Sequence, residues 1–70
     1  MRIVFTEHAL FRMGRRHITE GEIYDALNYP HLIKKAHGLY YYQKRLQQGN
    51  LEVCIERTAT HINIVSLYWI

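Results

Sequence analysis

FTEHALFRMGRRHITEGEIYDALNYP, running from Phe5 to Pro30, holds two helix starts. Thr19 follows the apolar Ile18, Glu22 stands three places after it, and Ile23 comes next. A threonine at the N-cap accepts a hydrogen bond from the backbone three residues on, and a glutamate at that position returns one to the cap. Apolar residues on either side of the box pack together as a staple. The helix that starts here must end near Asn28, because Pro30 disfavours the helical conformation at Tyr29. Upstream, Thr6 is a second N-cap, with Glu7 facing the positive end of the helix dipole. Phe5 and Leu10 form its expected staple. Two helices are therefore predicted, Glu7 to Arg16 and Glu20 to Asn28, with only His17, Ile18 and Thr19 between them.

Outward from this pair the texture is that of strands. Ile3, Val4 and Phe5 make a very short one. Leu32 to Leu46 holds one strand or two short ones, with His37–Gly38 as the bend. Gln47, Gln48, Gly49 and Asn50 read as a hairpin turn. Leu51, Val53 and Ile55 alternate with Glu52, Cys54 and Glu56, the pattern of a half-buried strand. Thr58 to His61 form the next turn. Ile62 to Ile70 is almost continuously apolar and β-branched, which predicts a central strand covered on both faces. The expected fold is α+β in the order β-α-α-β-β-β. Both helices would lie on one face of a small antiparallel sheet, with the first strand at an edge or beside the last. The other face would carry polar and aromatic residues.

The totals bound the function. Seventy residues make one domain, 1–70, and a chain this short buries only about 60% of its unfolded surface. Hydrophobic residues are 49% and charged residues 21%, a globular composition rather than a disordered one. There is no apolar run long enough for a membrane span and no signal-peptide pattern. The single cysteine, Cys54, cannot form an internal disulfide, and the expected compartment is the cytoplasm. Cys54 itself reads as an inert strand residue. A net charge of +3 permits an anionic partner without demanding one.

The distribution of charge says more. On a helical wheel Ala9, Leu10, Met13 and His17 fall in one arc, the expected core stripe, and His8, Arg12, Arg15 and Arg16 fall in the arc beside it. Like charges at this spacing cost about 0.2–0.5 kcal/mol per pair, and Glu7 is the one acid in the helix. The stripe gains if an anion comes to it. A planar guanidinium fork matches phosphate oxygens. The plainer reading is a solvated basic face, with Arg15 and Arg16 favoured by the helix dipole and Arg12 paired to Glu52 or Glu56. His8 sharpens the first reading, because imidazole titrates near neutral pH and serves as an acid or base; the plainer reading makes it a surface or structural residue. The five histidines lack metal-ligand spacing, so no metal and no cofactor is expected.

Tyr40, Tyr42 and Lys44 share one face of their strand by alternation, and Lys44 and Arg45 point oppositely. Aromatic platforms beside cations are how single-stranded nucleic acid is held. Against this, tyrosines are good strand formers, and Tyr41 is expected to pack under the helices.

The H-A-x-x-R-M-x-x-R block of His8, Ala9, Arg12, Met13 and Arg16 carries a resemblance, together with the helix start at Ile18 to Ile23, Pro30 and the V-S-L-Y of the last strand. Over nearly its whole length the chain resembles a family of small bacterial domains grouped with the BrnT-like branch of the RelE/ParE toxin superfamily. It departs from that pattern at His17, where glycine commonly follows the arginine, and this affects the turn between the helices. The resemblance implies a RelE/ParE-like fold and a toxin of a bacterial toxin–antitoxin pair. Several members of the superfamily cleave RNA without a metal, using basic and His or Tyr side chains, whereas ParE-like members poison gyrase. A metal-independent endoribonuclease would use His8 as acid or base, Arg12 and Arg16 on phosphate, and Lys44 as a further cation. Arg15, Tyr40, Tyr42 and Arg45 would contact nucleic acid. The expected partners are RNA and a cognate antitoxin protein, with no membrane. The alternative is a non-catalytic RNA-binding or protein-interaction module, in which the basic stripe receives an acidic segment and the apolar strand ending at Ile70 is covered by a partner or a second protomer.

Overall fold

Both predicted helices form at the predicted places. The computed structural model describes residues 2–70. Its elements are β1 Arg2–Phe5, α1 Glu7–Arg16, α2 Glu20–Asn28, β2 Leu32–Ala36, β3 Leu39–Leu46, β4 Gly49–Arg57 and β5 His61–Trp69. At α2 the capping box is complete: the Glu22 amide donates to Thr19 Oγ1 at 3.2 Å and the Thr19 amide to Glu22 Oε1 at 2.8 Å. Ile18 and Ile23 are both buried beside it. At α1 the staple does not form. Leu10 is 54% exposed, and Phe5 instead packs edge-on to Tyr24 with ring centroids 6.3 Å apart. His17 ends α1 in the left-handed conformation that usually takes glycine, at φ 55°, and its amide donates to the Met13 carbonyl.

The five strands form one sheet in the order β1-β5-β4-β3-β2. The segment from Leu32 to Leu46 is two strands, joined through His37 and Gly38. Both have positive φ (54° and 77°), the twist that suits a two-residue hairpin. The sheet is mixed rather than antiparallel: β1 runs parallel to β5, while the other pairs are antiparallel. The two helices between β1 and the rest provide the crossover that a parallel pair requires. β5 has a neighbour on each side, but it is covered on one face only; Ile64 and Leu67 are buried while Asn63, Ser66 and Tyr68 are half-exposed.

One core lies between the helices and one face of the sheet. It contains Ala9, Ile18, Ile23 and Ala26 from the helical layer and Tyr42, Leu51, Val53, Ile55, Ile64 and Leu67 from the strands. α1 packs on β5, and α2 on β3 and β4. The core stripe of α1 is narrower than its wheel predicts. Ala9 is buried and Met13 packs against the core, but Leu10 and His17 are exposed.

Thr6 couples three elements. Its hydroxyl accepts from the Ala9 amide at 3.2 Å and donates to the Ile64 carbonyl at 2.8 Å, with Val65 O at 3.2 Å. Its amide also donates to Ile64 O at 3.2 Å. Val65 is the extra residue where the β4–β5 register shifts: Cys54 opposes Ser66, but Ile55 opposes Ile64. The cap of α1 is thereby tied to the irregular point of β5. Thr6→Val keeps the shape and removes the hydroxyl. It is expected to cost about 1–2 kcal/mol in urea unfolding, whereas Thr6→Ser should stay within about 0.5 kcal/mol of wild type. Equal stability of the two variants would refute this coupling.

Candidate functional site

α1 carries the basic stripe on its outer side. His8, Arg15 and Arg16 are exposed and Arg12 is half-buried. The Arg12 Nε–H donates to His8 Nε2 at 3.1 Å, one helical turn away. In this bond Nε2 is the acceptor, and its lone pair is turned toward the guanidinium. On its other side the Arg12 guanidinium lies 5.9 Å from the centre of the Tyr68 ring, a cation–π distance. Arg15 leans on Phe11 at 5.7 Å. The Arg16 carbonyl accepts from the Trp69 indole at 3.3 Å, which fixes the end of α1 to the end of β5. The one ion pair among the described residues is Lys44–Asp25 at 3.9 Å. Arg12 therefore pairs with neither Glu52 nor Glu56, and the stripe keeps its full positive charge.

The residues predicted on β3 lie elsewhere. Lys44 sits under the end of α2, donating to the Tyr29 carbonyl at 2.9 Å and facing Asp25. That ammonium caps the negative end of a helix and does not stand beside His8. Tyr42 is 4% exposed, a member of the core, and offers no stacking surface. Tyr40 is half-buried and packs against the same core. Arg45 is exposed, and its amide donates to His31 Nδ1 at 3.0 Å. The parity of the triple tyrosine is thus the reverse of the expected one. Tyr41 opposes Cys54 on the open face, and Tyr40 and Tyr42 oppose Ile55 and Val53 on the covered one. Of the eight predicted site residues, the structure groups His8, Arg12, Arg15 and Arg16 on α1. It separates them from Lys44, Arg45, Tyr40 and Tyr42.

The open face carries polar and aromatic residues, as expected, and three of them form a row that the sequence does not single out. Gln43, Glu52 and Tyr68 stand side by side on β3, β4 and β5. The Gln43 amide donates to Glu52 Oε2 at 2.6 Å and the Tyr68 phenol to Glu52 Oε1 at 2.7 Å. The row ends where Arg12 meets the Tyr68 ring, so it connects the open face to the α1 stripe. Its only trace in the sequence is the alternation that sets Glu52 opposite to Leu51 and Val53; its partners depend on register. Burial, then the hydrogen bond to Glu52 and the charge of that carboxylate, raise the Tyr68 phenol far above the ordinary phenol range. Burial also raises the Cys54 thiol, which makes it a poor nucleophile.

A folded-state pKa above the unfolded one stabilises the protonated form. The contribution of Tyr68 to stability is therefore fully present below the unfolded value of about 10 and is lost as pH rises through the folded value. Stability should fall above about pH 10. Absorbance at 295 nm should show Tyr68 ionising late, and Glu52→Gln should advance it. Simultaneous ionisation of all the tyrosines near the ordinary value would contradict this row.

A family model described as Domain of unknown function (DUF4258) matches residues 5–69. The chain belongs to this family. The DUF4258 match begins at Phe5 and takes in both helices, the α1 stripe and the polar row. No curated protein and no solved structure matches the chain. Among the described residues of this DUF4258 domain, no three His, Cys, Asp or Glu side chains are grouped to hold a metal ion. Among the described residues no helix is long and apolar enough to cross a membrane.

Proposed function

We propose that the domain engages the backbone of RNA through α1 and cleaves it without a metal, as the toxin-like component of a toxin–antitoxin pair. The observation that carries this reading is the His8–Arg12 contact. It sets an imidazole nitrogen beside a guanidinium that has further N–H groups to offer, in a stripe that forms no ion pair among the described residues. Cleavage of this type needs a base and a cation at one phosphate. When phosphate draws the Arg12 guanidinium onto its oxygens, the Nε2 lone pair of His8 is released from the Arg12 Nε–H and takes the proton of a ribose 2′-hydroxyl. The 2′ oxygen attacks the adjacent phosphorus, the bond to the 5′ oxygen breaks, and that oxygen takes a proton from solvent. Arg12, with Arg15 and Arg16 along the stripe, neutralises the phosphate. The likeness of the His8–Arg16 block to BrnT-like domains supports the same reading.

The test is controlled expression in a bacterium, wild type against His8→Ala/Arg12→Ala, with growth and total RNA followed together. Growth arrest with new RNA fragments, abolished by the double substitution, is the expected result. Normal growth with intact RNA from folded wild-type protein would overturn it.

A second reading has its own observation. Leu10 and Phe11 are 54% and 63% exposed beside the arginines. Apolar side chains next to uncompensated cations suit a non-catalytic docking face for an acidic, amphipathic protein segment, such as part of an antitoxin. A tight, salt-sensitive protein complex without RNA turnover would favour it.

A further inference from the structure

Tyr40 is detached from Lys44 and shared by two other cations. Lys35 Nζ lies 5.3 Å and Arg57 Cζ 4.8 Å from the centre of its ring. Register accounts for the grouping. Lys35 opposes Tyr40 across β2–β3, Tyr40 opposes Ile55 across β3–β4, and Arg57 follows two places after Ile55 on the same face. Lys35 and Arg57 are both exposed. Arg57 is held in place from below, since its Nη2 donates to the hydroxyl of the buried Tyr42. Neither cation has a carboxylate partner, because the one ion pair among the described residues is Lys44–Asp25. Glu56, next in sequence to Arg57, points to the opposite face and accepts from Asn63 at 2.9 Å.

Two like charges drawn to one ring repel each other and are both stabilised by an anion. Arg57 loses little side-chain freedom on binding one, because Tyr42 already fixes it, and most of its N–H donors remain free. A single planar carboxylate would be satisfied by the guanidinium fork alone. A rigid fork plus a mobile point charge suits the several oxygens of a tetrahedral phosphate, or two neighbouring phosphates.

The cluster shares no contact with the α1 stripe. Arg57, on the strand next to β5, opposes Ile62, close to the Ile64 level where Thr6 starts α1; the Arg16 end of α1 is tied to Trp69, about 20 Å further along β5 at about 3.3 Å per residue. Lys35, on β2, is three strand spacings from β5, about 14 Å. We infer that Lys35 and Arg57, seated on Tyr40 and Tyr42, form a second phosphate-binding site for single-stranded RNA. The choice of RNA as ligand rests on the function proposed above. One backbone reaching from α1 to this cluster would meet both.

The test uses a fluorescent ten-nucleotide oligouridylate and the whole protein, with affinity measured across a salt series. Lys35→Gln and Arg57→Gln are compared with wild type and with His8→Ala/Arg12→Ala. Each lost phosphate contact on a single strand should lower the slope of log affinity against log salt by about 0.7 and weaken binding about threefold. A lower slope in Lys35→Gln, with residual binding in the α1 double variant, supports the second site. Should Arg57→Gln fail to fold by thermal melting, Lys35→Gln carries the test alone. Binding unchanged in both β-strand variants but lost in the α1 variant overturns the second site and leaves the α1 reading standing. Binding lost only in the β-strand variants supports this site and overturns α1 as the RNA surface. No binding by the wild type overturns both. Equal competition by a poly-glutamate peptide overturns phosphate as the ligand.

Discussion

Leu67→Ala is expected to remove about 2–5 kcal/mol of stability. Leu67 is fully buried, and its cross-strand neighbour Val53 is fully buried as well. Both lie in the single core that joins the helical layer to the sheet. No second core exists among the described residues to hold the helices if this one is opened. Domains have about 0.05–0.15 kcal/mol of stability per residue, so a chain of this size has a total comparable with the expected loss. Urea unfolding should show a lower midpoint with an unchanged slope, and much of the variant should be unfolded at 37 °C. Leu10→Ala is the control. It removes the same atoms from a side chain that is 54% exposed, and its cost should stay within about 0.5 kcal/mol. If both substitutions cost the same, α1 does not sit on the sheet as described.

His8→Ala is expected to slow RNA cleavage about 10²–10⁴-fold, the usual contribution of a positioned base. His8 is exposed, and the imidazole's contact is with Arg12 on the same helix, so the fold should be unaffected. Arg12→Lys separates two roles of the guanidinium. A lysine keeps the charge for phosphate but cannot hold His8 Nε2 and a phosphate oxygen with one planar group. The chelator EDTA should leave wild-type cleavage unchanged. Full cleavage by folded His8→Ala would remove His8 from the chemistry and move the weight to the docking reading.

The local elements were legible because their determinants lie within a few residues of each other. Thr19 and Glu22 form a reciprocal cap whatever the rest of the chain does, Pro30 stops α2, and His37–Gly38 accept positive φ. The i, i+4 spacing likewise puts His8 beside Arg12. The strand of Leu51, Val53 and Ile55 announces its buried face by alternation.

Three consecutive tyrosines announce nothing of the kind. Tyr40–Tyr42 have no polar–apolar alternation, so their faces are inherited from β4 through register, and Tyr41 faces outward. The V-S-L-Y of β5 reads as continuously apolar, yet Ser66 and Tyr68 line an uncovered face. Its periodicity is also interrupted where Val65 is inserted. Whether β1 joins β5 in parallel depends on how two helices carry the chain back, and no residue in β1 encodes that.

Cross-strand neighbours are far apart in sequence, and a one-residue change of register would send every side chain to the other face. The sequence by itself determined two capped helices, a breaker, a hairpin and a basic helical stripe. Only the tertiary structure decided that Lys44 belongs to the end of α2, that Gln43, Glu52 and Tyr68 form a row reaching Arg12, and that Tyr40 gathers Lys35 and Arg57. The first set is fixed by contacts between near neighbours in the chain; the second is fixed by register, which follows from the packing of the whole core.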